Sequence, residues 1–212
     1  MKNLLEHEFV SHYQLKLKKS PDILYRETNS VLFELKDDDI IIYEQEGKGV
    51  AKYKNDRTLL VKVMNYECFI KTLPESFRKN REVCDLIVYT DSNEYFLLNE
   101  LSDTMQKYIN PYENTSGKQE GKRNKAIRQL KNSLKDLMEI ENIENFIKHF
   151  SKKRCLFFNT QPYQPPEIKA VKAFNRINNI KLENGFRMEN KEIEKHGFSF
   201  YEYSGNQIFN LI

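Results

Sequence analysis

Val83-Cys84-Asp85-Leu86-Ile87-Val88-Tyr89, the turn Thr90-Asp91-Ser92-Asn93, and Tyr95-Phe96-Leu97-Leu98-Asn99-Glu100-Leu101 form the stretch on which the fold turns. Two β-type apolar runs flank a short polar turn, which is the composition of an antiparallel strand pair. Side chains alternate across a strand, so Asp85, Ile87 and Tyr89 share one face of the first run, and Glu100 and Ser102 share one face of the second. Asp85 begins its strand and Glu100 lies near the end of the next. Antiparallel pairing can therefore bring the two carboxylates together, provided that the register puts their faces on the same side.

Working outward, Leu59 to Met64 predicts a strand before this pair, followed by a connection from Tyr66 to Arg81. After the pair comes a loop from Tyr108 to Gly121, long for a connection without structure of its own and hence a candidate functional loop. Ile127, Leu130, Leu134 and Leu137 then step by threes and fours, which draws the apolar stripe of a long helix. A shorter helix is predicted over Ile143 to Phe150. Arg154 to Asn159, with Cys155-Leu156-Phe157-Phe158 inside it, reads as a central strand covered on both faces.

The flanks are less regular. Leu4, Leu5, Phe9, Tyr13 and Leu17 predict an amphipathic helix or arm that Ser20-Pro21 breaks. Short β-type runs over Asp22–Arg26, Val31–Leu35 and Ile40–Tyr43 predict a small antiparallel sheet or set of hairpins. Beyond the proline-rich Gln161 to Pro166, a helix is expected over Ile168 to Ile177, and a terminal strand or hairpin over Gly197–Tyr203 and Gln207–Leu211. The expected division is an N-terminal helix and β extension over 1–56, a core over 57–162, and a C-terminal helix and hairpin over 163–212, packed on the core.

Composition narrows the class of protein. With 39% hydrophobic residues, the 212-residue chain can bury a core, and 31% charged residues supply its surface. No apolar run approaches the roughly 20 residues of a membrane helix, and Met1 to Lys19 lacks the apolar centre of a secretion signal, so a cytoplasmic protein without a membrane partner is expected. Cys68, Cys84 and Cys155 are scattered and have no metal-ligand spacing, which predicts three buried thiols rather than a disulfide framework. His7, His12, His149 and His196 are equally dispersed. No G-x-S-x-G, phosphate-cradling glycine loop or G-x-G-x-x-G occurs, which removes the serine hydrolase, nucleotide-triphosphatase and dinucleotide classes.

The net charge of +3 is small, but seven basic residues fall between 118 and 135. Lys118, Lys122, Arg123, Lys125, Arg128, Lys131 and Lys135 are opposed there only by Glu120. Such a helix can lie along a phosphate backbone or can simply be a solvated face.

Taken in order, strand, connection, strand, strand, helix, strand, with Asp85 and Glu100 on the pair, residues 57–162 resemble the PD-(D/E)XK nuclease superfamily. The resemblance implies a restriction endonuclease-like α/β fold: a central mixed sheet flanked by helices, here with the N-terminal β-rich extension and the C-terminal helix and hairpin. It implies that Asp85 and Glu100 bind Mg²⁺ or Mn²⁺, and that a lysine two residues after the glutamate orients the attacking water. Ser102 occupies that position. Family variants carry the lysine on the following helix, four residues before a glutamine, and Lys125 and Gln129 have that spacing, with Lys122 as the second choice. The implied partner is nucleic acid, DNA ahead of RNA, met by Lys118, Lys122, Arg123 and Arg128, with room for a homodimer or a protein partner. The implied activity is phosphodiester hydrolysis, in keeping with defence against foreign DNA. The alternatives are a catalytically degenerate binding or scaffolding subunit and an unrelated protein-interaction module.

Pro21-Asp22 with Glu34-Leu35-Lys36 matches the literal family motif but is set aside. An acidic turn and another strand follow it where a supporting helix belongs, and too little chain precedes it.

Overall fold

A computed structural model describes residues 1–162 and 185–212. Its centre is a seven-stranded mixed sheet whose strands lie in the order β1-β5-β6-β7-β10-β12-β11. These are β1 (Tyr25–Thr28), β5 (Val61–Asn65), β6 (Leu86–Thr90), β7 (Tyr95–Ser102), β10 (Lys152–Asn159), β11 (Phe186–Met188) and β12 (Ser199–Ser204). A second sheet has the order β13-β4-β2-β3, from β2 (Leu32–Leu35), β3 (Ile42–Tyr43), β4 (Ala51–Lys54) and β13 (Ile208–Asn210). A hairpin of β8 (Tyr112–Asn114) and β9 (Gly117–Gln119) stands apart from both.

The helices are a π-helical turn over Leu4–Phe9 running into α1 (Val10–His12), then α2 (Tyr66–Thr72), α3 (Glu75–Arg78), α4 (Lys122–Met138), α5 (Glu141–Lys148) and α6 (Lys191–Glu194). The connection between the first two predicted core strands thus contains α2 and α3. None of the helices described is long and apolar enough to cross a membrane.

β5, β6 and β7 form an antiparallel meander, and β10 returns parallel to β7 after α4 and α5. A parallel return needs a crossover of a dozen residues or more, which α4 and α5 supply. All of β6 is buried because both of its faces are covered. On one side Ile87, Leu98 and Phe157 pack with Leu130, Leu134 and Ile147 of the helices. On the other, Val88, Leu97 and Phe158 pack with Phe33, Tyr53 and Phe209 of the small sheet. This explains the unbroken apolar run of β6, which alternation alone would not produce.

Three expectations are corrected. The C-terminal strands do not form a hairpin: β12 lies in the large sheet parallel to β10, whereas β13 crosses to the small sheet and pairs parallel to β4. Phe209 and Leu211 are buried in the second core, and filling that core outweighs the local turn preference of Ser204-Gly205. In the N-terminal extension β2, β3 and β4 form the expected small antiparallel set, but β1, expected with them, instead pairs with β5 in the large sheet. Finally, Cys68 is only partly buried, while Cys84 and Cys155 are buried as expected. The helix predicted over Ile168 to Ile177 lies outside the described residues.

Candidate active site

Register answers the question that spacing left open. Leu86 pairs with Asn99 and Ile87 with Leu98, which carries Asp85 one step on, level with Glu100. Ile87 and Leu98 belong to the helix-side core, so two residues further along each strand Asp85 and Glu100 face the same side. Asn99 faces the other way and accepts a hydrogen bond from the Tyr53 hydroxyl at 2.9 Å. The Leu101 N–H donates to Asp85 Oδ2 at 2.7 Å and fixes the carboxylate.

The backbone of Asp85 positions the next element. Its carbonyl oxygen accepts from the N–H groups of Tyr66 at 2.8 Å and Glu67 at 3.2 Å, so α2 begins against the start of β6. Asn65 caps that helix, its side-chain oxygen accepting from the Cys68 N–H at 2.8 Å. The Asn65 amide then donates to Asp37 Oδ1 at 2.7 Å, drawing in the acidic turn that follows β2. As a result, carboxylate oxygens of Asp37, Glu67 and Asp85 all lie within 4.8 Å of one another.

This compact set differs from the expected pair, in that Glu100 stands beside the trio rather than within it. Glu100 is buried, and its Oε2 has no hydrogen-bond partner among the described residues. Burial pushes the Asp85 carboxyl up to about 7, with the charges of Asp37 and Glu67 adding to the rise while the Leu101 N–H and Lys71 oppose it. Burial, then the nearby Asp85 charge, raises Glu100 well above the usual carboxylate range, with Lys125 acting against them.

Helix α4 supplies the other side. Gln129 Nε2 donates to the Val83 carbonyl at 2.9 Å, Asn132 Nδ2 to the Glu82 carbonyl at 3.1 Å, and the Ser133 hydroxyl accepts from the Cys84 N–H at 2.7 Å. These bonds stitch α4 to the segment leading into β6. Lys125 lies one turn before Gln129, and both line a cleft of about 430 Å³ together with Glu67 and Lys71. Gln129 is buried, and its Oε1 is a second acceptor without a donor among the described residues.

Lys122, the alternative lysine, is exposed and lines a different cleft. Neither a protein-family model, nor a curated protein, nor a solved structure matches this chain.

The expected nucleic-acid contacts divide. Lys118 and Lys122 are exposed. Arg128 is shared between Glu82, at 2.6 Å, and Glu120, which offsets much of its charge. Arg123 is corrected outright. It is buried, paired with Glu202 at 2.5 Å and 2.9 Å and bonded to Asn110, so its guanidinium ties α4 to β12 and does not face a phosphate.

The literal-motif residues stay structural, Asp22 being exposed and Glu34 accepting from the N–H groups of Gly47, Lys48 and Gly49. Asp37, from the acidic turn used to set that motif aside, nevertheless reaches the site.

Asp37, Glu67 and Asp85 are hard oxygen donors that could hold a metal ion, although Glu67 is already paired with Lys71, and the unpaired Glu100 Oε2 belongs to the residue level with Asp85. Oxygens on one octahedral Mg²⁺ lie about 3.0 Å apart when adjacent and about 4.2 Å when opposite, so three carboxylates spread over up to 4.8 Å would draw together on binding it. A pH dependence follows. Because the folded carboxyls titrate above their unfolded values, the native state holds protons that the unfolded chain has released, and stability contributed here falls as pH rises from about 4 to about 7. Thermal melts are expected to show Mg²⁺ raising Tm at pH 8 by several degrees and having little effect at pH 5; equal shifts at both values would contradict this.

Proposed function

We propose that this protein is a metal-dependent phosphodiesterase acting on nucleic acid, a restriction endonuclease-like nuclease with its lysine on α4. The observation that carries the reading is the convergence of Asp37, Glu67 and Asp85 next to the unpaired Glu100 Oε2, with Glu67 also lining the cleft that Lys125 and Gln129 line. The order β5, β6, β7, α4, β10, with β10 parallel to β7, is the order of elements that the sequence resemblance implies.

A bound Mg²⁺ or Mn²⁺ would polarise the phosphate and lower the pKa of a water molecule. Asp37, Glu67 and Asp85 would hold it, with Glu100 completing the set. The Lys125 ammonium would orient the attacking water, whose oxygen bonds to phosphorus as the bond to the leaving sugar oxygen breaks and that oxygen takes a proton. Gln129 ties α4 to the segment leading into β6 through its bond to Val83. Positioning and charge stabilisation would do most of the catalytic work.

The second reading, a degenerate binding subunit, is favoured by Ser102 at the usual lysine position. Plasmid, single-stranded DNA and RNA incubated with the protein in Mg²⁺ or Mn²⁺ separate the two. Cleavage of at least one substrate is expected, slowed about 100-fold by Lys125→Met, in line with the contribution of a positioned proton-handling group. Absence of cleavage together with absence of divalent-metal binding would overturn the enzyme reading.

A further inference from the structure

The cleft that Lys125 lines with Glu67 and Gln129 has a neighbour of about 260 Å³, which Lys125 lines together with Tyr108, Tyr112, Gln119 and Lys122. Lys125 is thus common to two adjoining hollows of different chemistry. In the first cleft the walls carry Arg78 and Lys79, both exposed, and Lys71, which is paired with Glu67. On the other side the character is aromatic. The rings of Tyr108 and Tyr112 lie 4.7 Å apart, tilted at 57°, and the Lys107 ammonium sits 4.8 Å from the Tyr108 ring centre. Both tyrosines are partly exposed and neither belongs to the hydrophobic cores among the described residues.

This aromatic surface is held in place. A two-stranded hairpin such as β8–β9 is marginal by itself. Here the buried Ile109 pins it, with its carbonyl accepting from the Arg123 N–H at 3.0 Å. Gly121, at φ +78°, lies so close to Asn110 that an added Cβ would stand 2.4 Å from its carbonyl carbon. The loop is therefore clamped to the start of α4, with its tyrosines beside Lys122 and Lys125.

Cations beside the acidic centre and tyrosine faces across Lys125 match a strand whose phosphates and bases are both accessible. In a duplex the base faces are stacked on one another and closed to a side chain; in an unpaired strand they are open, and aromatic stacking with a basic groove is how such strands are bound. Resting on the nucleic-acid reading above, we infer that the substrate is single-stranded nucleic acid, its backbone passing Arg78 and Lys79 toward the carboxylates and its bases stacking on Tyr108 and Tyr112.

The test is fluorescence anisotropy with the full chain in EDTA, where cutting is suppressed, using fluorescein-labelled 20-mers of dT and of U and a duplex of the same length. Single strands are expected to bind about tenfold or more tighter than the duplex. Tyr108→Ala and Tyr112→Ala are each expected to weaken single-strand binding by roughly tenfold, with Tyr→Phe at either position restoring it, because stacking needs the ring and not the hydroxyl. Arg78→Gln with Lys79→Gln should lower the slope of log affinity against log salt by roughly 1.4. The order of dT and U names the source of the strand, and either order satisfies the inference. Equal affinity for duplex and single strands, or alanine variants that bind as wild type does, overturns it. Duplex cleavage that is unaffected by Tyr108→Ala would also overturn it, yet would leave the nuclease reading standing.

Discussion

Asp85→Asn is expected to lower cleavage about a thousandfold while making the metal-free protein more stable. The two effects share one cause. Asp85 is buried, and its carboxyl is raised to about 7 by that burial and by Asp37 and Glu67, so in the absence of a cation its charge is a cost to the fold. An amide of the same shape removes that cost and can still accept the Leu101 N–H. Each pKa unit corresponds to about 1.4 kcal/mol, so a gain of roughly 2–4 kcal/mol at pH 8 without metal is expected. The amide is a poor ligand for Mg²⁺, and losing about 4 kcal/mol of transition-state stabilisation slows a reaction about a thousandfold.

Thermal melts with and without Mg²⁺, run beside a cleavage assay, read both effects. A variant that is less stable without metal and fully active would show that Asp85 is an ordinary strand-end carboxylate. Glu100→Gln is expected to behave in the same way, since its unpaired Oε2 stands beside the same centre.

Arg123→Ala is expected to destabilise the fold by about 3–5 kcal/mol, because it strands Glu202. Glu202 is 0% exposed, and its carboxylate also accepts from Asn159 and Ser204, in a buried network joining β10, β12 and α4. A buried pair is weak evidence of net stabilisation, but breaking it leaves an uncompensated charge, and that difference is testable. The double replacement Arg123→Met with Glu202→Gln should recover most of the loss in urea denaturation. If Arg123→Ala instead keeps wild-type stability and lowers only the salt dependence of DNA binding, Arg123 belongs to the binding face after all.

The same residue shows where reading the chain runs out. Arg123 lies among basic neighbours, and nothing in its spacing separates it from Lys122, which is exposed. The separating fact is Glu202, 79 positions away, brought into place by β12 pairing alongside β10. A basic first turn also opposes the helix dipole, so Arg123 at the start of α4 is a local misfit that only this distant carboxylate offsets.

Asp37 and Glu67 escaped the sequence for a related reason. Asp37 is one of three consecutive aspartates in a turn, and Glu67 stands four residues before Lys71, the spacing of an ordinary helix-surface ion pair. The available signal was Asn65, a capping residue before Glu67, but its second bond, to Asp37, depends on how the small sheet packs.

Local chemistry settled what kinds of elements occur here. The alternating and continuous apolar runs made β6, β7 and β10 legible, the steps of three and four made α4 legible, and the turn at Asp91-Ser92-Asn93 placed Asp85 and Glu100 on neighbouring strands. Periodicity is a property of near neighbours, so a linear string carries it.

Which carboxylates meet, which arginine is buried, and where the last strand goes were decided by tertiary structure. Each of these depends on pairing across many residues, and on which charges the packed interior removes from water.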